Sequence, residues 1–446
     1  MIAKLKELRS LIRSIHFQSL LGNGMMAVFG LITNWILYRN LPLLELGVYI
    51  FFLNISGLID TLRAGFLSIT FVKFYSGTEK KRAEQVAGSA WFIGLFITGL
   101  SVLVNIPTYF IADYVKDPGL VLFLKYFSIV SVITLPSFMA NCVVLAEKRF
   151  DRFLWLRIFT QGSFTLGIFA LAFLKDLSLS VVLLTYAFSN LFASLIVLVL
   201  KWTKIHTLVK THRATVMELF HFGKYSMGTN IGSNLFNVTS TFVINFFLGP
   251  AALAIANVGG KLIQIIEIPL LSFASSGMSI LSADYNQGNH TKVMYTLKKL
   301  VGMMTIAIIP VTIASVIFAE PIIYLLGGKN YVNTEAPNIF RIFMIIALLY
   351  PADRFFSLAL DVIDQPKINF YKIIVMLIVN LVAVLIGISL YHSIYSISIA
   401  SVFPTIVAIL MTYYPLNKYS KFSFWNIYVV GFKESVLFLK QVIKRA

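Results

Sequence analysis

A single cysteine, Cys142, occurs in 446 residues, so the chain can form no internal disulfide. No Cys/His cluster has metal-ligand spacing, and neither a metal nor a cofactor is implied. Acidic residues are scarce as well: 19 Asp and Glu stand against 37 Lys and Arg, and charged residues together make only 13%. A soluble domain carries about 25%. With 58% hydrophobic residues and a mean hydropathy of +0.84, the chain falls outside that class. His206, His212 and His221 share one basic stretch and read as solvated.

What the sequence has in quantity is apolar runs of about 20 residues, the length that crosses a bilayer as an α-helix. A membrane barrel would show alternating segments of about ten residues instead. Twelve spans are expected, at about 18–38, 44–72, 86–111, 120–142, 154–174, 179–200, 219–248, 251–281, 298–318, 338–360, 368–390 and 394–414. They are numbered 1 to 12 below. The first run is longer than a signal-peptide core and no small-residue cleavage site follows it, so it counts as span 1.

Lys and Arg in alternate connections orient the chain. One set of connections, which includes both termini, holds 27; the other holds only Arg39, Lys116, Lys175 and Lys329. This asymmetry never breaks alternation, and it places both termini in the cytoplasm with an even number of spans. The net charge of +18 is mostly this topology signal plus attraction to anionic membrane lipids, and needs no nucleic acid to explain it. Of the other basic residues, Lys125, Arg157, Arg341 and Arg354 lie near span ends, where long side chains snorkel to the headgroups. Arg63 and Lys261 are deep.

The sequence also repeats. Asn23 and Asn230 are spaced like Asn34 and Thr241, Pro42 and Pro250 open spans 2 and 8, and Pro136 and Pro351 precede similar polar turns. Six spans per unit keeps the orientation, so the units are related by an axis along the membrane normal. The expected architecture is all-α and polytopic, with twelve transmembrane helices in two pseudo-symmetric lobes around a central cavity. Residues 1–200 form the N-terminal lobe, 201–218 a cytoplasmic linker with an interfacial helix, 219–415 the C-terminal lobe, and 416–446 an amphipathic tail in the cytoplasmic interface.

Polar residues inside the spans carry the functional signal. An ionisable side chain at the bilayer centre costs roughly 2.5–3.5 kcal/mol on insertion scales, so it must face protein, water or ligand. In span 7, Ser226, Asn230, Asn234, Asn237, Thr241 and Asn245 fall on one helical arc; in span 8, Asn257, Lys261, Gln264, Ser275 and Ser279 do the same, with Glu267 beside them. Such stripes line a lumen or serve as helix–helix glue. In span 2, Ser56, Asp60, Arg63 and Thr70 share a side, and Asp60 and Arg63 are spaced to pair at i, i+3. That pair is a structural neutralisation or part of a solute path. Lys261 and Glu267 are six residues apart, about 9 Å along a helix, too far to pair directly. A glycan-modifying membrane enzyme would need acidic or histidine clusters on an aqueous loop. The longest external connection, about 319–337, holds only Glu320 and Glu335 and no histidine, so no catalytic residue is assigned.

The string FFLGPAALAIANVGGKLIQIIEIP, followed by LSADYNQGN, resembles spans 7 and 8 of Wzx-type polysaccharide transporters in the multidrug/oligosaccharidyl-lipid/polysaccharide (MOP) exporter superfamily. NLPLLELGVYIFFLNISGLID and the turns after spans 4 and 10 fit the same pattern. The resemblance implies a flippase of the bacterial inner membrane. Its substrate would be an undecaprenyl-diphosphate-linked oligosaccharide for O-antigen, capsule or a related surface glycan, moved from the cytoplasmic to the periplasmic leaflet by alternating access. Arg63 and Lys261 would bind the diphosphate. Asn23, Asn34, Asn230, Asn234, Asn237, Asn257 and Gln264 would meet the sugars, Asp60 and Glu267 would link transport to protons or sodium, and glycan polymerase machinery is an expected partner. Drug/cation antiporters of the superfamily often carry an acidic residue in span 1, whereas here no Asp or Glu occurs between Glu7 and Glu45. Lipid II flippases typically have fourteen spans against the twelve seen here.

Overall fold

The computed structural model describes residues 15–445, apart from the side chains of residues 15–23 and of some scattered positions including Ser226, Asn230, Asn237, Ser275 and Ser279. The described chain is helical from end to end, and the expected spans follow in order. Among the described residues nine helices are long and apolar enough to cross a membrane, and the bent pair Pro250–Leu262 and Gln264–Leu271 makes a tenth. Spans 1 and 7 are the helices Ile15–Asn40 and Arg213–Leu248.

Turn chemistry sets the boundaries. Asp117 accepts the Leu120 N–H at 2.7 Å and Pro118 opens span 4, so one orphan donor is satisfied and one is absent. Gly249 adopts φ +85°, a conformation that costs glycine no Cβ clash, and Pro250 then starts span 8.

The chain divides into two compact units, one ending at Val238 and the other beginning at Thr239. In the first, Phe71, Trp91, Met139 and Val143 of spans 2, 3 and 4 form a core in which all four are at most 2% exposed. Hydroxyl pairs tie further spans to it: Thr33 to Thr165 at 2.8 Å (spans 1 and 5), and Ser137 to Ser194 at 2.8 Å (spans 4 and 6). Span 7 enters this unit by close approach to span 2. A Cβ on Gly65 would lie 2.7 Å from the Met227 Cα, and one on Gly223 would lie 2.8 Å from the Phe66 carbonyl oxygen. Small residues admit backbones this closely in membranes.

The stretch 201–218 folds onto span 3. Its 3-10 turn Ile205–Lys210 crosses Gly88, where a Cβ would sit 2.2 Å from the Thr207 carbonyl oxygen. Trp91 Nε1 donates to the Thr203 carbonyl at 2.7 Å, and Lys210 pairs with Glu84 at 2.6 Å.

In the second unit Phe355, Phe356, Leu297, Val301 and Leu416 lie in the core with no exposure. The tail helix Phe424–Arg445 packs lengthwise on the span 9 helix, His290–Ile317. Gly302 and Gly431 meet there: a Cβ on Gly302 would lie 2.4 Å from the Ile427 carbonyl oxygen. Glu434 accepts from Tyr295 Oη at 2.6 Å and pairs with Lys299.

Candidate functional site

Span 8 is broken where its charges sit. Pro250–Leu262 and Gln264–Asn286 meet at Ile263 with a bend of about 40°. The expectation of one continuous helix is therefore corrected, and its causes are in the sequence. Pro269 cannot donate to the carbonyl four residues before it, and Gly259–Gly260 lower the helical preference just ahead of the break. Lys261 closes the first segment, half-buried. Among the described residues it makes no ion pair or hydrogen bond, and the one carboxylate whose field reaches it is the exposed Glu267, in the first turn of the second segment. Gln264 opens that segment half-buried, and Asn257 is half-buried one turn before Lys261.

Arg63 is placed differently. It is 4% exposed and held on three sides: Nη2 donates to Asp60 Oδ1 at 2.9 Å and to Thr134 Oγ1 at 3.0 Å, and Nη1 to the Ser131 carbonyl at 3.1 Å. Its guanidinium carbon stands 4.9 Å from the Phe138 ring centroid. Asp60, on the helix turn before it, is 38% exposed. The i, i+3 pair expected in span 2 is thus present, and span 4 supplies its other partners.

The asparagine stripe divides along its length. Asn34 and Asn234 are half-buried, whereas Thr241 and Asn245 are buried inside the second unit, where Asn380 Nδ2 donates to Ser240 Oγ at 3.4 Å. Asn23, Asn230 and Asn237 lie outside the described side chains.

Two polar sites went unread in the sequence. Lys372, one of the 27 cations assigned to connections although it falls at the start of the 368–390 run, is 7% exposed and donates to Asp353 at 2.8 Å and Ser357 Oγ at 2.6 Å, while Asn369 bridges the Ser357 carbonyl and Asp361. The spacing of Asp353, Ser357 and Asp361 at i, i+4, i+8 was the available signal. Arg157, expected to snorkel, instead borders a cavity between spans 4, 5 and 6. Of the others grouped with it, Lys125 pairs with Asp113 at 2.8 Å, and Arg341 reaches Glu320 at 3.1 Å and the Val316 carbonyl at 3.1 Å.

Profile comparison decides the family. The model described as "Polysaccharide biosynthesis protein" matches residues 16–278, more than half of the chain. The chain belongs to that family. A second model, MatE, matches residues 226–386 of this polysaccharide biosynthesis family member. No curated protein matches it. Among solved structures, an inward-facing multidrug resistance MATE transporter of the MOP superfamily is similar with a TM-score of 0.74 and 15% identity, covering 89% of this chain and 96% of that one. The lipid II flippase MurJ, in an inward closed conformation, is similar with a TM-score of 0.69 and 13% identity, covering 95% and 92%. This polysaccharide biosynthesis family member is a multi-pass membrane protein with the fold of MOP-superfamily transporters.

Proposed function

We propose that this protein is a flippase for an undecaprenyl-diphosphate-linked oligosaccharide. It sits in the bacterial inner membrane with both termini cytoplasmic, and moves the glycolipid to the periplasmic leaflet by alternating access. Its product feeds O-antigen, capsule or related surface-glycan assembly, with glycan polymerase machinery as its downstream partner. The family match, whose description is polysaccharide biosynthesis, and the likeness in fold to a lipid II flippase support this reading.

The observation that carries it is Lys261, a cation in an apolar span, at a helix break, with no protein partner among the described residues. A diphosphate offers the charge that such an ammonium lacks, through charge-assisted hydrogen bonds that a neutral drug cannot make. Arg63 is the second diphosphate ligand, available when Asp60 releases it. Asn34, Asn234, Asn257 and Gln264 meet the sugar hydroxyls, as do Asn23, Asn230 and Asn237. Glu267, exposed and within the field of Lys261, is the first candidate for proton or sodium linkage, and Asp60 the second.

In a strain lacking the gene, Lys261→Ala should restore no surface glycan although the protein reaches normal levels, and Lys261→Arg should restore part of it. Wild-type export by Lys261→Ala would discard the assignment. Glu267→Gln should change the dependence of export on pH or sodium; an unchanged dependence removes the coupling role. The MatE match and the MATE fold likeness favour a second reading, a multidrug or cation antiporter. Under that reading expression confers drug resistance and the glycan phenotype is absent. A membrane enzyme acting on glycans would transfer sugar when purified, an outcome this reading excludes.

A further inference from the structure

Arg157 is the most exceptional cation in the first unit. It lies about 10 Å into the span 5 helix, seven residues beyond Phe150. Among the described residues its side chain makes no ion pair and no hydrogen bond, and its Nε is buried without a partner. Its one neighbour of note is the Phe153 ring, 4.7 Å from the guanidinium carbon to the centroid. Directly after it the helix widens into a π turn, Ile158–Gly162, a distortion that recurs at functional sites because it redirects side chains at a cost in hydrogen bonding.

The half-buried guanidinium side chain borders an open-sided cavity of about 260 Å³ between spans 4, 5 and 6. Its walls carry Thr134, Asn141, Thr160, Gln161, Tyr186 and Asn190. The unmet donor at this cavity is the Arg157 Nε–H, and Asn141 adds a buried amide oxygen that wants a donor such as water or a protonated phosphate hydroxyl. Arg63, which donates to the cavity-lining Thr134 and stands over the Phe138 ring, is itself paired with Asp60. Arg157 is therefore an uncompensated positive charge facing hydroxyls and amides, inside a membrane. A charge drawn even partly out of water is favoured by a partner of opposite sign.

We propose that this cavity binds a phosphate-type oxyanion, with Arg157 as its charge partner and Gln161, Tyr186 and Asn190 donating to the remaining oxygens, since the Thr134 and Thr160 hydroxyls already donate to the Ser131 and Leu156 carbonyls. The site lies wholly within the first unit, contains neither Lys261 nor Glu267, and does not depend on the transport role proposed above. Its volume admits one phosphate group with a few waters, supplied by free inorganic phosphate or by the headgroup of an anionic lipid.

The test uses the full chain in nanodiscs. Trp155 and Trp202 flank the π turn through Phe159, at ring-centroid distances of 5.7 and 6.4 Å, so intrinsic fluorescence reports thermal unfolding close to the site. In phosphatidylcholine, inorganic phosphate titrated against gluconate at constant ionic strength should raise the melting temperature saturably. In phosphatidylglycerol without phosphate, the same rise identifies the headgroup as the source, and added phosphate then does nothing further. Arg157→Gln should abolish the response to either probe, and Arg157→Lys should retain part of it. Because Arg157 makes no hydrogen bond or ion pair among the described residues, and a methionine can keep the contact with the Phe153 ring, Arg157→Met should be about as stable as the parent when neither probe is present. No response of the parent chain to either probe overturns the proposal. So does an equal response in Arg157→Gln, or a clear loss of probe-free stability in Arg157→Met, which would make the guanidinium a structural element.

Discussion

Asp60 and Arg63 provide a test that separates architecture from transport. Arg63 is 4% exposed with three hydrogen-bonding partners, whereas Asp60 is 38% exposed. Removing either partner of a buried ion pair costs about 3–5 kcal/mol when the survivor is uncompensated. The two deletions should therefore differ. Asp60→Asn strands the guanidinium against two neutral acceptors and should cost about 3 kcal/mol, the low end of that range, because the amide oxygen can still accept a hydrogen bond. Arg63→Met keeps the packing volume of the stem and leaves a carboxyl group that is more than a third exposed and can take up a proton, so its cost falls to about 1 kcal/mol. The double variant removes both charges and should cost little more than Arg63→Met alone, a coupling of about 3 kcal/mol. Thermal or denaturant unfolding of the purified chain in detergent measures all four. Additive single effects would refute the pair as drawn. Export by the stable double variant then isolates function: loss of export at normal stability makes Arg63 a substrate ligand, and full export restricts it to architecture.

Three other expectations follow. Gly302→Leu or Gly431→Leu should force the tail helix off span 9, because the nearest backbone atoms stand 2.4 Å from where a Cβ would go; overpacking of about 1–3 kcal/mol should appear as faster proteolysis after the tail lysines, and unchanged cleavage would contradict the packing. Glu434 is held below the usual carboxylate range by hydrogen bonds from Lys299 and then Tyr295. A depressed folded value contributes stability above the unfolded value of about 4.3 and loses it as pH falls through the folded one, so the tail should stay docked at pH 5 and loosen below about pH 4. Hydrogen exchange in the tail checks this, and Glu434→Gln should already be loosened at pH 7.

Much of this fold is legible in the sequence because a bilayer leaves few options. Runs of about 20 apolar residues must become helices, and Gly249–Pro250 can only be a tight turn between two of them. The Asp60–Arg63 pair was visible for the same reason, since i, i+3 spacing is a property of one helix. Features that depend on a distant partner were not visible. Gly302 and Gly431 are 129 residues apart and belong to no motif until the tail lies on span 9. The same holds for Gly88 beneath the 3-10 turn at Thr207. Lys372 reads as a loop cation because the polar run Asp361–Lys372 looks continuous, yet the helix begins at Pro366 and turns the lysine inward to Asp353. Arg157 sits close enough to a span end to snorkel, and only the π turn and the packing of spans 4 and 6 bring it to the cavity wall.

In the proposed transport cycle Lys261, which has no partner among the described residues, engages the diphosphate of a lipid-linked glycan at the break in span 8. The most direct measurement reconstitutes the purified chain in liposomes with a fluorescent polyprenyl-diphosphate oligosaccharide and follows its leaflet by accessibility to a membrane-impermeant quencher. The account predicts rapid exchange for the parent chain, none above protein-free liposomes for Lys261→Ala, and none when the diphosphate is replaced by a neutral linkage. Equal exchange by Lys261→Ala, or equal exchange of the neutral analogue, would contradict it.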